Sequence, residues 1–191
     1  MRELPELFLS VDLEMNQPSG RIIQIGAIVG NIYTGEVLER FSRFVDPNEP
    51  LTEFIINLTG IKQAEIDSEG VTLPEAYLDL VALHKRHKTF CNPITWGGGD
   101  IETIREQLGP DHKGPWPFGR RWIDVKTLYI SHRLSKKAFF VGGLAKSMTR
   151  VGLAFNGSKH NALADAENTF LMYCRLLSII SPKVSEPVAD K

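Results

Sequence analysis

The sequence predicts a layered α/β domain built on a mixed β-sheet, and three observations carry that expectation. Strand-like apolar runs are grouped at the start of the chain, and later runs alternate with helical patterns. The chain has 191 residues with 42% hydrophobic content, enough for one good core and too few for two comfortable domains. From Leu7 to Leu13 the run is mostly apolar and bounded by Pro5, which suits a central strand covered on both faces. "RIIQIGAIVGN" follows the turn signal "NQPSG", and "GEVLERFSRFVDP" alternates apolar and polar residues after "YTG", so the first three strands read as a meander. Pro47 and Pro50 close the third strand, and "LTEFIINLTGIKQAEI" reads as short helical pieces interrupted at Gly60. In "TLPEAYLDLVALHKRH" Thr72 and Glu75 form a capping box, and Leu73, Tyr77, Leu80 and His84 recur at helical spacing. "KTFCNPITWGGGD" reads as a fourth strand ending in a glycine turn that feeds the helix "IETIREQL". "RRWIDVKTLYISHRL" gives a short strand and a helix, "VGGLAKSMTRVGL" another helix, and "NALADAENTFLMYCRLLSII" a long last one. In that last helix Leu163, Ala166, Phe170, Tyr173, Leu177 and Ile180 are expected to be buried as one stripe. Residues 1–182 are expected to form the domain and residues 183–191 a polar tail.

Composition narrows the function. The formal net charge is −1, so any anionic partner must be held locally rather than by a global field. Cys91 and Cys174 are far apart and lack C-x-x-C spacing, which argues against a disulfide scaffold or a structural zinc site and fits a reducing cytoplasm. The start "MRELPELF" has no long apolar stretch, and no run approaches the length needed to span a bilayer, so a soluble cytoplasmic protein with no membrane partner is expected.

The chemistry is concentrated in acids. In "FLSVDLEMN" Asp12 and Glu14 lie two apart on a strand, so both carboxylates point to the same side. Two like charges side by side in a largely buried element are unfavourable unless a cation or a shared proton relieves them. Asp100 follows the end of the fourth strand, and strand carboxyl ends are where sites collect in open α/β sheets. "HNALADAENT" adds His160 and Asp165; five residues apart they cannot face one point on a helix, so His160 belongs on the preceding loop, with Asn161 as N-cap. Each acid alone has a structural use as a surface charge, cap or dipole partner, but together they form a carboxylate set without thiolates or clustered histidines. Such a set suits Mg²⁺ or Mn²⁺, and a pair of such ions suits in-line phosphodiester hydrolysis, with His160 free to move a proton.

These residues resemble the DEDDh (DnaQ-like) 3′–5′ exonucleases: "DLE" is similar to the first motif of that family, "WGGGD" to the second and "HNALAD" to the third. "LTGI" resembles the Eri-type branch, whereas "DLEM" is shared with oligoribonucleases. The resemblance implies a ribonuclease H-like, five-stranded sheet in the order 3-2-1-4-5 with an antiparallel second strand, and two Mg²⁺ or Mn²⁺ ions. It implies that Asp12 bridges both metals, that Glu14 and Asp165 complete one site, that Asp100 acts partly through metal-bound water, and that His160 is the general base. By the same resemblance, Leu58 would wedge against a terminal base and the Met15 backbone would meet the terminal 3′ hydroxyl. The implied substrate is the 3′ end of single-stranded RNA or DNA, cut to nucleoside 5′-monophosphates, and family members often form homodimers. The rival readings are a ribonuclease H-like endonuclease and a noncatalytic nucleic-acid-binding module. Asp124 reads as a helix-start acid rather than a ligand, and Trp96 as core with base stacking as its alternative. The basic residues from Lys113 to Lys137 would hold phosphates if they line the groove.

Overall fold

The computed structural model describes residues 4–180; the expected tail at 183–191 lies outside the described residues. Three antiparallel strands open the chain, β1 (Leu7–Met15), β2 (Ile22–Asn31) and β3 (Val37–Phe44). Helices α1 (Glu53–Thr59), α2 (Gln63–Glu69) and α3 (Leu73–His87) follow, with Gly60 capping α1 in the left-handed region as the interruption in the sequence required. The two-residue strands β4 (Ile94–Thr95) and β5 (Ile123–Asp124) then alternate with α4 (Asp100–Leu108) and α5 (Val125–Ser135), before α6 (Leu144–Arg150) and α7 (Ala162–Ile180). The sheet order is β3-β2-β1-β4-β5, with β4 and β5 parallel to β1, so the expected five-stranded mixed sheet is the observed one.

β1 is central, and its alternation sorts the two layers. Leu9, Val11 and Leu13 enter the core beneath α3 and α4 with Tyr77, Leu80 and Ile104. On the opposite side Phe8 joins the core shared with α5, α6 and α7, Ser10 donates its hydroxyl to the Ala166 carbonyl at 2.8 Å, and Asp12 and Glu14 continue that face toward the strand's end. Two glycines of β2 let α7 approach. A Cβ at Gly26 would lie 2.1 Å from the Ala162 backbone carbon, and one at Gly30 would lie 2.3 Å from the Phe170 ring. Gly26 is the cross-strand partner of Asp12, so the start of α7 is pressed onto the sheet beside that acid.

This close seating corrects the expected apolar stripe of α7. Ala162, Asn168, Thr169, Met172 and Leu176 are buried as well as Ala166, Phe170 and Tyr173. Leu163 and Leu177 are only partly buried, and Ile180 is 53% exposed. A helix sunk between β1, β2 and β4 on one side and α5 and α6 on the other is covered over a wider arc than the periodic pattern implied. No helix among the described residues is long and apolar enough to cross a membrane.

The capping box of α3 forms as the sequence required: Thr72 Oγ1 accepts from the Glu75 N–H, and Glu75 Oε2 accepts the Thr72 N–H at 2.9 Å. Replacing an N-cap threonine by alanine costs about 1 kcal/mol. Thr72→Ala is therefore expected to lower Tm by about 3 °C in a chain of this size, measurable by thermal or urea unfolding.

Candidate active site

The carboxyl end of β1 carries the acids outward from the core. Asp12, Glu14 and Asp165 offer carboxylate oxygens that all lie within 4.8 Å of one another. α7 brings Asp165 there through contacts made by its first turns. Gln24 of β2 accepts the Ala162 N–H with Oε1 at 3.0 Å, Asn161 Oδ1 accepts the Ala164 N–H at 3.1 Å as an N-cap, and Ser10 holds the Ala166 carbonyl. The register of β1 against β2 shifts between Glu14 and Met15, an irregularity of the kind that re-aims side chains at strand ends.

Electrostatics identify the cluster as unrelieved. Burial first, then the charges of Asp100, Asp165 and Glu14, push the Asp12 carboxyl well above its ordinary value. Glu14 is raised to about 7 by burial, Asp165 and Asp100. Burial raises Asp100 to about 7, against the pull of the backbone N–H at the helix start and with a small contribution from Glu102. Asp165 is raised by burial, while the N–H of His160, the His160 imidazole and the N–H at Asn161 oppose the shift. Asp100 therefore acts on both β1 acids electrostatically, although it is not within the tight group of three. It is the first residue of α4 and follows Gly99, which takes the cap position with φ of 115°; the alternative use of Asp100 as an N-cap does not occur.

His160 lies on the loop before α7, as the five-residue spacing required. It adopts a left-handed backbone with φ of 57°, and its N–H donates to Asp165 Oδ2 at 2.9 Å. The exposed imidazole and the acids Asp12, Glu14 and Asp165 line a cavity of about 440 Å³. The other walls include Trp96, Lys146, Phe155 and Lys159. Trp96 is half-buried, packing against the core near Tyr129 while also facing this cavity.

Other sequence candidates fall outside the cavity walls. Met15 packs against the core under α3 and α4, and Leu58 is 38% exposed on α1, one turn from the exposed Phe54. Leu58 is thus a surface residue and not part of the core. Asp124 caps α5, accepting the Thr127 N–H at 3.0 Å, which is the structural use expected for it. No residue between Lys113 and Lys137 lines the cavity; its cations are instead Lys146 of α6 and Lys159 of the loop before α7. Sequence reasoning missed Gln24 and Asn168. Asn168 is fully buried and holds that loop at its start, bonding to both the N–H and the carbonyl of Asn156. Their only sequence signal was a polar residue on an otherwise apolar face.

Residues 9–89 match the exonuclease family RNase_T, a span that holds Asp12 and Glu14 and ends before Asp100. That span is similar to the RNase T-type exonucleases. The chain is 29% identical to the human (Homo sapiens) ERI1 exoribonuclease 2 over 182 residues, covering 83% of this chain and 26% of that protein. It is 28% identical to the 3′-5′ exonuclease Snipper of Drosophila melanogaster, covering 82% of this chain and 60% of that protein. The chain thus spans about a quarter of the human relative and less than two thirds of Snipper. Among solved structures, the nuclease domain of 3′hExo, a DEDDh family member bound to rAMP, superposes with a TM-score of 0.75 at 23% identity. That match covers 94% of this chain and 95% of 3′hExo's nuclease domain. Cell-death related nuclease 4 gives a TM-score of 0.77 at 16% identity, covering 91% of this chain and 64% of that one. At these identities the structural likeness establishes the fold alone, a ribonuclease H-like five-stranded mixed sheet.

Proposed function

We propose that this domain is a divalent-metal-dependent 3′–5′ exonuclease that removes nucleoside 5′-monophosphates from the 3′ end of single-stranded RNA or DNA. The observation that carries the reading is the group formed by Asp12, Glu14 and Asp165, held within 4.8 Å with their carboxyls raised by burial. An all-oxygen donor set carrying unrelieved negative charge fits hard cations, and neither sulfur nor a second imidazole lines the cavity. Asp12, Glu14 and Asp165 would hold Mg²⁺ or Mn²⁺, with Asp100 completing a site for a second ion. When bound, the pair supplies the positive charge required by the attacking and leaving oxygens of an in-line displacement.

The chain's own residues account for the remaining work. His160, exposed at the cavity and tied to Asp165 through its backbone, takes the proton of the attacking water on an imidazole nitrogen. The water oxygen bonds to phosphorus, the bond to the 3′ oxygen breaks, and that oxygen receives a proton as the new strand end. Leu58 and the Met15 backbone would bracket the terminal nucleotide. The names of the relatives, exoribonucleases and a 3′-5′ exonuclease, support this direction of attack. We place the protein in the cytoplasm, where its free cysteines Cys91 and Cys174 would stay reduced, and a homodimer is the assembly that family likeness favours.

The test uses matched RNA and DNA oligonucleotides, end-labelled when linear and internally labelled when circular, in Mg²⁺, Mn²⁺ or EDTA. The expected result is stepwise release of mononucleotides from linear substrates only, abolished by EDTA. Cutting of circles into internal fragments would replace this reading with an endonuclease, and tight binding without turnover would replace it with a binding module.

A further inference from the structure

We propose that Lys146 and Lys159 form a phosphate clamp that grips the nucleic-acid strand at the phosphate immediately 5′ of the bond being cut. The inference rests on the nuclease reading above and adds to it a subsite. Both lysines line the same cavity as Asp12, Glu14, Asp165 and His160, but they come from two separate walls, α6 and the loop before α7. Both are solvent-accessible, and neither has an ion-pair partner among the described residues. This contrasts with Arg21, Arg40, Arg43 and Arg86, which pair with Glu49, Glu167, Asp79 and Glu39. Unlike other unpaired surface cations such as Lys85, these two line the cavity that holds the acids, where a bound anion can reach both.

The two walls fix the backbone from which the lysines project. Lys146 packs the start of its side chain beside Gly142, where an added Cβ would meet its Cβ at 3.2 Å. The loop bearing Lys159 is fixed at its start by the Asn156–Asn168 bonds and at its end by the His160–Asp165 bond. The carboxylate floor with its ions would take the scissile phosphate, so the lysines are left for the next phosphate along the strand. The remaining lining side chains, those of Leu13, Trp96, Leu144, Ala145 and Phe155, are apolar apart from the indole N–H. They offer contact area with little means of reading base edges, so the subsite grips the strand with little regard to sequence.

The test measures binding of a short 5′-fluorescein-labelled single-stranded RNA by anisotropy in Ca²⁺, across a series of salt concentrations, together with turnover of the same RNA in Mg²⁺. The Lys146→Ala/Lys159→Ala variant is expected to bind about tenfold more weakly, with a plot of log affinity against log salt shallower by about 0.7 for each phosphate that is no longer neutralised. In turnover, the loss should fall on KM rather than on kcat. The Lys146→Arg/Lys159→Arg variant should keep the wild-type slope, and Lys85→Ala, on the exposed side of α3, serves as the reference substitution. A double alanine variant with the wild-type affinity and slope overturns the clamp, as does a loss confined to kcat. Wild-type protein that binds with the expected salt dependence yet releases no nucleotide would sink the nuclease reading and leave the clamp standing. Wild-type protein that does not bind RNA overturns both.

Discussion

Asp12→Asn is expected to lower exonuclease turnover by about 10³-fold while making the metal-free protein more stable. The first effect follows from position: Asp12 is shared by the tight carboxylate group and the influence of Asp100, so losing its charge weakens every ion the cluster can hold. Metal ions supply several kcal/mol of charge stabilisation in such reactions, and each 1.36 kcal/mol corresponds to about tenfold in rate. The second effect follows from the sign of the carboxyl shifts. Glu14 moves from 4.5 to about 7 and Asp100 from 3.8 to about 7 on folding, and Asp12 is raised as well. Folded pKa values above the unfolded ones mean that the protonated, native cluster is stable at low pH and loses that stability as pH rises from about 4 to about 7. Chelator-treated wild type should therefore show a Tm that falls across this window, and Mg²⁺ should restore most where the carboxylates are ionised. Asp12→Asn should flatten the pH dependence and raise the metal-free Tm at pH 8 by about 3 °C or more, since 1 kcal/mol is worth about 2–4 °C in a chain of this size. A lower Tm for the variant at pH 8 would show that the cluster is not strained, and activity within tenfold of wild type would show that Asp12 is not catalytic.

The split between what the sequence revealed and what it hid follows from the range of the interactions. Asp12 and Glu14 are legible because a strand's period of two is local, and His160 belongs on a loop because helical geometry forbids it from facing the same point as Asp165 at that spacing. The left-handed backbone of His160 and its 2.9 Å bond to Asp165 are the structural counterparts of that argument. Capping at Thr72 and the break at Gly60 were equally local. The sheet order 3-2-1-4-5 came through family likeness, because two-residue strands such as β4 and β5 carry too little pattern to be ordered by periodicity. The supports of the site stayed hidden. Gln24 reaches Ala162 across 138 positions and Ser10 reaches Ala166 across 156, and a single sequence carries no trace of such pairings. The same long-range seating widened the buried arc of α7 beyond its expected stripe. The one local clue was "IGAIVG", where glycines four apart in a strand mark one face of it for close backbone approach.

Gly26→Ala tests that seating and is expected to have the largest stability effect of any single methyl added to the sheet. The new Cβ would lie 2.1 Å from the Ala162 carbon, 2.2 Å from the Leu163 nitrogen and 2.3 Å from the Ala162 oxygen, all backbone atoms that cannot rotate away. At Gly30 the obstacle is the Phe170 ring, a side chain with torsions of its own, so Gly30→Ala should cost less. Gly143→Ala meets open space with φ of −77° and serves as the tolerated reference for stability. Overpacking commonly costs about 1–3 kcal/mol and more where backbone must move, so Gly26→Ala should lose about 3 kcal/mol and about 10 °C in Tm. The loss should extend to function, because moving the start of α7 carries Asp165 away from Asp12 and releases the His160 bond. Isothermal titration with Mn²⁺ would then show weaker binding for Gly26→Ala than for Gly30→Ala, even at a temperature where both variants are fully folded. Equal Tm losses for the two glycines, or unchanged Mn²⁺ affinity in Gly26→Ala, would show that the helix tolerates displacement and that β2 does not set the position of the third carboxylate.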